Sequence, residues 1–240
     1  MTTPLPLQIG GLRRRQWLQA SAIGGLLGTV GLAGASLSTN VVEFSGEVRL
    51  NGARLRHEQS VQTGDAIETG PQGHLIFVIG RAAFQVRANT SLRVMRGATF
   101  LTVSELHVDH GGVVSVWAHP KPSRIVTPQV TVEVQQAGVY TEVSAPHSRT
   151  YCCNCFGPVQ LTTNGETKTS HAEHHQSFWV DAPQGGLDRL DVAPTFKHSD
   201  HELMFLNQLL HQKPLWQRSE TQGATDVPGL TSDMTQGFLD

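Results

Sequence analysis

The chain has 240 residues, a formal net charge of −2 and 38% hydrophobic residues, enough for one globular domain with an appendage. The near-neutral charge argues against nucleic acid as the main partner, because such domains usually carry a basic footprint. Twenty-four glycines and twelve prolines favour many turns and therefore many short strands.

Residues 1–35 read as a targeting segment. Arg13-Arg14-Arg15-Gln16-Trp17-Leu18 precedes a mildly apolar run from Ala20 to Ala35, which ends in Ala33-Gly34-Ala35, an A-x-A cleavage pattern. Twin arginines followed by Trp-Leu resemble a Tat leader, with Trp17 where Phe is usual. A plain Sec signal and an uncleaved anchor are the alternatives, although the run is short and weakly apolar for a stable span. No other segment reads as a membrane crossing. The expectation is a periplasmic protein with no membrane span after leader removal.

Residues 41–145 read as a β domain. Glu43 to Leu50 alternates and ends in the turn Asn51-Gly52. Ala66 to Thr69, His74 to Ile79, Phe84 to Arg87 and Ser91 to Met95 follow as strands. Leu101 to Val108 and Val113 to Ala118 flank a turn at His110-Gly111-Gly112. Val130, Val132 and Val134 alternate, and so do Val139, Thr141 and Val143. Such short strands with regular turns suit a sandwich, a barrel or a β-solenoid.

Residues 146–182 form an extension predicted to be a β-hairpin. All three cysteines lie within it, as Cys152, Cys153 and Cys155, and His171, His174 and His175 follow. Asn164-Gly165 between the two groups is a two-residue hairpin signal. Pairing Thr163 with Glu166 sets Cys155 opposite His174, Asn154 opposite His175 and Cys153 opposite Gln176. Cys153, Cys155 and His174 then share one face, and Cys152 and His175 the other. A one-residue bulge, for which Gly157-Pro158 is suited, would instead bring His175 beside Cys155.

Residues 183–216 read as a linker and an amphipathic helix. Ser199 or Asp200 caps the helix, Glu202 favours its N-terminal dipole, and Leu203, Leu206, Leu209 and Leu210 form an apolar stripe that packs on the β domain. Lys213-Pro214 stops it. The polar tail at 217–240 reads as disordered.

Several short motifs carry a family resemblance: Gly46-x-Val48, Val61-x-x-Gly64-Asp65-x-Ile67-x-Thr69-Gly70, Asn89-x-Ser91-x-x-Val94, Gly112-x-Val114, Val126-Thr127-Pro128-x-Val130, and Ala137-Gly138-Val139-Tyr140-Thr141-x-Val143. In this order and spacing they resemble a FecR domain over Val42 to Val143. Ile79-Gly80-Arg81-Ala82 departs from the usual Asp-Gly-Ser strand centre. The resemblance implies an all-β fold, a FecR-like β-solenoid or sandwich of many short strands plus the one C-terminal helix. It also implies an exported domain that binds or relays rather than catalyses, with an envelope protein as partner. In the FecR regulators a cytoplasmic segment contacts a sigma factor. Here only twelve residues precede Arg13, which points away from that role. The stretch from Thr150 to Val180 resembles an extension found in a subgroup of FecR-like proteins. Tyr151, Cys153, Cys155, Gly157, His174 and His175 match that pattern, and Cys152 lies outside it.

Thiolates with imidazoles suit Zn²⁺, Cu(I) or iron, so Cys153, Cys155, His174 and His175 are the candidate ligands of a metal ion (Fe, Zn or Cu) or a haem. The spacing is Cys-x-Cys rather than a zinc knuckle, and a Cys-x₂-Cys-His haem attachment motif is absent. A Cys153–Cys155 disulfide acting as a redox sensor or passive bond is the second reading, and a dithiol oxidoreductase a further one. Small buried cysteines that only fill a β core are the third. His107, Asp109 and His110 read as a solvated turn. His198, Asp200 and His201 read as a helix cap or a lesser metal site. With no Gly-x-Ser-x-Gly elbow and no phosphate loop, the expectation is a non-catalytic protein.

Overall fold

Apolar side chains at every second position create strands that need a second layer to cover them. In the computed structural model, which describes residues 39–182 and 189–217, that layer is a second sheet. The described residues all belong to one unit, Leu37–Asp240. The expected leader, residues 183–188 and the tail from 218 lie outside them. Among the described residues no helix is long and apolar enough to cross a membrane.

The first strands are β1 (Val41–Ser45), β2 (Val48–Leu50), β3 (Ala53–Arg54), β4 (Ala66–Thr69), β5 (His74–Ile79), β6 (Ala82–Val86) and β7 (Ser91–Arg96). There follow β8 (Val103–Trp117), β9 (Ser123–Val126), β10 (Thr131–Val134), β11 (Gly138–Ser144) and β12 (Arg149–Thr162). The last are β13 (Thr167–Ala172), β14 (Gln176–Asp181), β15 (Arg189–Ala193) and the helix α1 (Asp200–Leu209). One sheet runs β1-β5-β6-β8-β11-β12-β14-β15. The other runs β3-β2-β4-β7-β8-β9-β10-β12-β13.

Two long strands belong to both sheets. The sequence suggests a turn at His110-Gly111-Gly112, but β8 runs through it, pairing with β7 before the glycines and with β6 and β11 after them. Gly111, at φ +82°, bends the strand from one sheet to the other, and a Cβ there would overlap the Asn89 carbonyl. Gly157, at φ +88°, does the same for β12, where a Cβ would crowd the Gln136 carbonyl. These corners produce a sandwich joined along two shared strands, approaching a small barrel. The solenoid alternative fails because the ladders are antiparallel except β8–β9, whereas stacked coils require parallel neighbours.

Ile67, Leu92, Leu106 and Ile125 of the second sheet meet Phe77, Phe84, Trp117 and Phe178 of the first in the central core. The first sheet is covered on its other face too. There Ile76, Ala83, Val114, Val116, Tyr140 and Phe156 form a second cluster with Leu203 and Leu206 of α1. Burial on both faces explains why β6 is buried at every position and why His74 to Ile79 reads as a nearly continuous apolar run. The helix starts at the expected place. Ser199 is its N-cap and forms a capping box with Glu202. Residues 146–182 continue the sandwich, since β12 pairs with β11 and β14 in one sheet and with β10 and β13 in the other.

Candidate metal centre

The hairpin starts in the register set by Asn164-Gly165, with Thr162 opposite Thr167 and Gly157 opposite Ala172. It does not keep that register. Asn154 lies opposite Gln176 and Cys153 opposite Ser177, one position further along. The extra residue is on the returning arm, at Glu173–His175, rather than at Gly157-Pro158. His175 absorbs it at φ +50° and donates its N–H to the Cys155 carbonyl at 3.0 Å. A left-handed backbone is costly for a residue with a Cβ and is retained where the surroundings over-determine it. The bulge carries His175 onto the face of Cys153 and Cys155, the alternative that the hairpin pattern had left open.

That face is the outer one of the first sheet, under the C-terminal segment. Cys153 and Cys155 are fully buried there, and Cys152 points into the central core. His175 Nδ1 lies 3.5 Å from Cys153 Sγ. His198, from the segment between β15 and α1, brings its Nε2 to 3.1 Å from His175 Nδ1. The ligand atoms of Cys153, Cys155, His175 and His198 all fall within 4.8 Å of one another. A tetrahedral ion with bonds of about 2.3 Å to sulfur and about 2.0–2.1 Å to nitrogen separates S from N by about 3.5 Å and N from N by about 3.3 Å. The S···N and N···N separations of 3.5 Å and 3.1 Å lie close to those spacings.

The outer ring nitrogens determine what the inner ones present. His175 Nε2 lies 2.7 Å from an Asp200 carboxylate oxygen and His198 Nδ1 lies 2.8 Å from the Phe196 carbonyl. Both oxygens accept, so the hydrogen-bond network places the ring protons on those outer nitrogens. Neutral rings then aim two lone pairs at each other beside a cysteine sulfur. Such a set requires a cation, either a proton or a metal ion. The charges agree. Cys153 is pulled below the usual thiol range, first by the neighbouring Cys155 thiol and, against the opposing effect of burial, by His175, His198 and Ser177. His175 is raised, first by Cys153 and then, against burial, by Asp200. Burial holds Cys155 and Cys152 above the thiol range. Burial also pushes Asp200 up, but hydrogen bonds from His175 and His174 outweigh it and leave its carboxyl low.

His174 is placed outside this cluster. Its Nε2 donates to the same Asp200 oxygen at 2.8 Å, and its half-exposed ring packs against Trp216 at 4.9 Å. It belongs to a second group, His174, His175 and Asp200, whose short N···O contacts are those of hydrogen bonds. The fourth member of the buried cluster is instead His198, which the sequence offers as part of a separate site with Asp200 and His201. His-Ser-Asp-His at a helix start was the signal, but nothing in it says which strand it meets. His201 is exposed.

Solved chains that resemble this fold include two from one bacterium. Both are crystal structures of a protein described as a "putative anti-sigma factor" from Parabacteroides distasonis ATCC 8503. They match with TM-scores of 0.46 and 0.44 at 11% and 15% identity. The alignments cover 59% and 55% of this chain and 64% and 60% of those chains, so this chain spans about three fifths of their length. No protein-family model and no curated protein matches the chain.

The remaining histidine-rich stretch, expected at a turn, lies within β8, where two of its residues form ion pairs. His107 Nε2 contacts Glu105 at 2.6 Å, and exposed Asp109 faces Arg93 at 3.5 Å.

Proposed function

We propose that this chain is an exported, non-catalytic β-sandwich module that holds one thiophilic metal ion, Zn²⁺ in the first instance, through Cys153, Cys155, His175 and His198. It works against a protein partner in the envelope. The leader motif and the FecR resemblance support export and a partner. The metal reading rests on one observation: two imidazole nitrogens and two buried cysteine sulfurs lie within 4.8 Å of one another, with both outer ring nitrogens already committed. Four converging protein ligands close a tetrahedral shell, which suits an ion. A haem would use only one or two of them as axial ligands.

Elemental analysis of the full chain purified without chelator tests this reading, beside Co²⁺ loading followed by absorption. Near one ion per chain is expected in the wild type and in His174→Ala, with tetrahedral Co²⁺ bands and sulfur-to-cobalt charge transfer. Cys153→Ser/Cys155→Ser and His198→Ala should lose most of the ion. A wild type that takes up neither Zn²⁺ nor Co²⁺ would overturn it.

A second reading has one observation in its favour. Cys153, His175 and Asp200 lie in line as thiol, imidazole and carboxylate, with Cys153 lowered and His175 raised. That is the arrangement of a reactive dithiol. It would show as reduction of a model disulfide faster than by Cys153→Ser, in protein free of metal.

A further inference from the structure

The site is assembled from two pieces of the molecule that chain connectivity alone does not hold together. Cys153, Cys155 and His175 come from the β12–β14 framework. His198 and its neighbour Asp200 come from the segment that follows β15 and carries α1. Trp216, beyond α1, adds a ring that packs on His174 and on Phe156. We propose that residues 194–217 form a strap latched onto the first sheet by the bound ion, so that metal loading controls whether the outer face of that sheet is covered. The proposal rests on the metal reading above and adds its regulation.

Without an ion, the strap is held by ordinary contacts. Leu203 and Leu206 bury against Val114, Val116 and Ala83. Glu202 pairs with Arg87 at 2.7 Å and accepts from Gln85 at 2.9 Å, and Tyr151 donates its hydroxyl to the Pro194 carbonyl at 3.0 Å. Most of these polar links lie at partly exposed positions, where such pairs contribute little. In the metal-free cluster His198 and His175 meet at 3.1 Å through at most one shared proton. An ion would replace that single hydrogen bond with coordinate bonds from strap and sheet to one centre. A ligand that binds the docked state more tightly shifts the equilibrium toward it, and docking must raise ion affinity by the same factor. The covered face is apolar across Ile76, Ala83, Val114, Val116 and Tyr140. Removing the ion therefore uncovers a hydrophobic surface of the size an amphipathic helix fills.

Hydrogen exchange on the full chain, with Zn²⁺ or with chelator, tests the latch. Zn²⁺ is expected to slow exchange of the α1 amides from Leu203 to Leu209 at least ten-fold while leaving the β7 amides unchanged. The reciprocal arm uses Leu206→Ala, which touches no ligand atom. It should weaken Zn²⁺ binding several-fold, matching its loss of helix protection, at unchanged stoichiometry. Zn²⁺ bound at one per chain with unaltered α1 exchange would overturn the latch and leave the metal site standing. So would a Leu206→Ala variant that loses helix protection but binds Zn²⁺ as tightly as the wild type. Failure to bind Zn²⁺ at all would remove the metal reading, and the latch with it.

Discussion

Cys152 and Cys153 are neighbours in the chain and sit in different chemistry. Strand alternation sends Cys152 into the central core opposite Thr141, and Cys153 to the outer face beside His175. Cys152→Ser should therefore cost about 1–3 kcal/mol by burying a hydroxyl in an apolar interior, and leave metal content at the wild-type level. Chemical denaturation with elemental analysis on the same sample reads both quantities. Asp200 acts through His175, fixing the ring so that Nδ1 faces inward. Asp200→Ala should weaken metal affinity about 10–100-fold, the usual effect of losing a carboxylate behind a ligand histidine. Asp200→Asn keeps an acceptor oxygen and should lose less. Titration with a competing chelator distinguishes the two variants.

At the scale of elements, the bulge and the helix cap decide the site. Without the extra residue at Glu173–His175, His175 would face the central core with Cys152 and the two imidazoles could not meet. The cap places His198 and Asp200, since Ser199 lies between them and opens α1 with its box to Glu202. Ser199→Ala should lower stability by about 1 kcal/mol. Because the same turn carries His198 of the proposed site, it should also weaken Zn²⁺ binding, which a Ser199→Asp variant, keeping a capping oxygen, should restore. Equilibrium unfolding and Zn²⁺ titration of the pair test this. In the sequence, the cap and the leucine stripe were legible because they are local signals. The bulge was legible only as an alternative, because turn chemistry sets register near the turn and says nothing about an irregularity eight residues away.

For the whole molecule, the proposed ion and acid are expected to act in opposite directions. An ion held only by the folded state adds about 2.7 kcal/mol when its free concentration is a hundred times Kd, so chelation should lower Tm measurably. Calorimetry with and without chelator shows it, and in the Cys153→Ser/Cys155→Ser variant the difference should vanish. Acid sensitivity has a separate source on the second sheet. Glu105 is held below the usual carboxylate range, first by His107 and, against burial, by Arg124. A carboxyl lowered in the folded state stabilises it fully above the unfolded value, and that contribution disappears as pH falls through the folded one. Glu105→Gln should thus melt below the wild type near neutral pH, and the two curves should converge once pH drops beneath the carboxylate range. A gap that stays constant with pH would show that packing, rather than charge, is responsible.

The amino-acid order was sufficient for most of the strands and their turns, the helix with its cap, and the return of the histidine arm beside the cysteine arm, though not for their register. All of these depend on contacts between residues close in the chain, which period-two alternation, Asn-Gly turns and Ser-x-x-Glu caps report directly. The layering was beyond it. Gly111 and Gly157 read as turn or bulge residues locally, and only the assembled sheets turn them into corners that choose a sandwich over a solenoid. The membership of the buried Cys/His cluster was beyond it as well. His198 and Cys153 are separated by more than forty positions, and their meeting depends on α1 docking across the first sheet. Burial of a helix face against a sheet is non-directional and specific only in three dimensions. For that reason it is His198, rather than His174, that joins Cys153, Cys155 and His175 in the buried cluster.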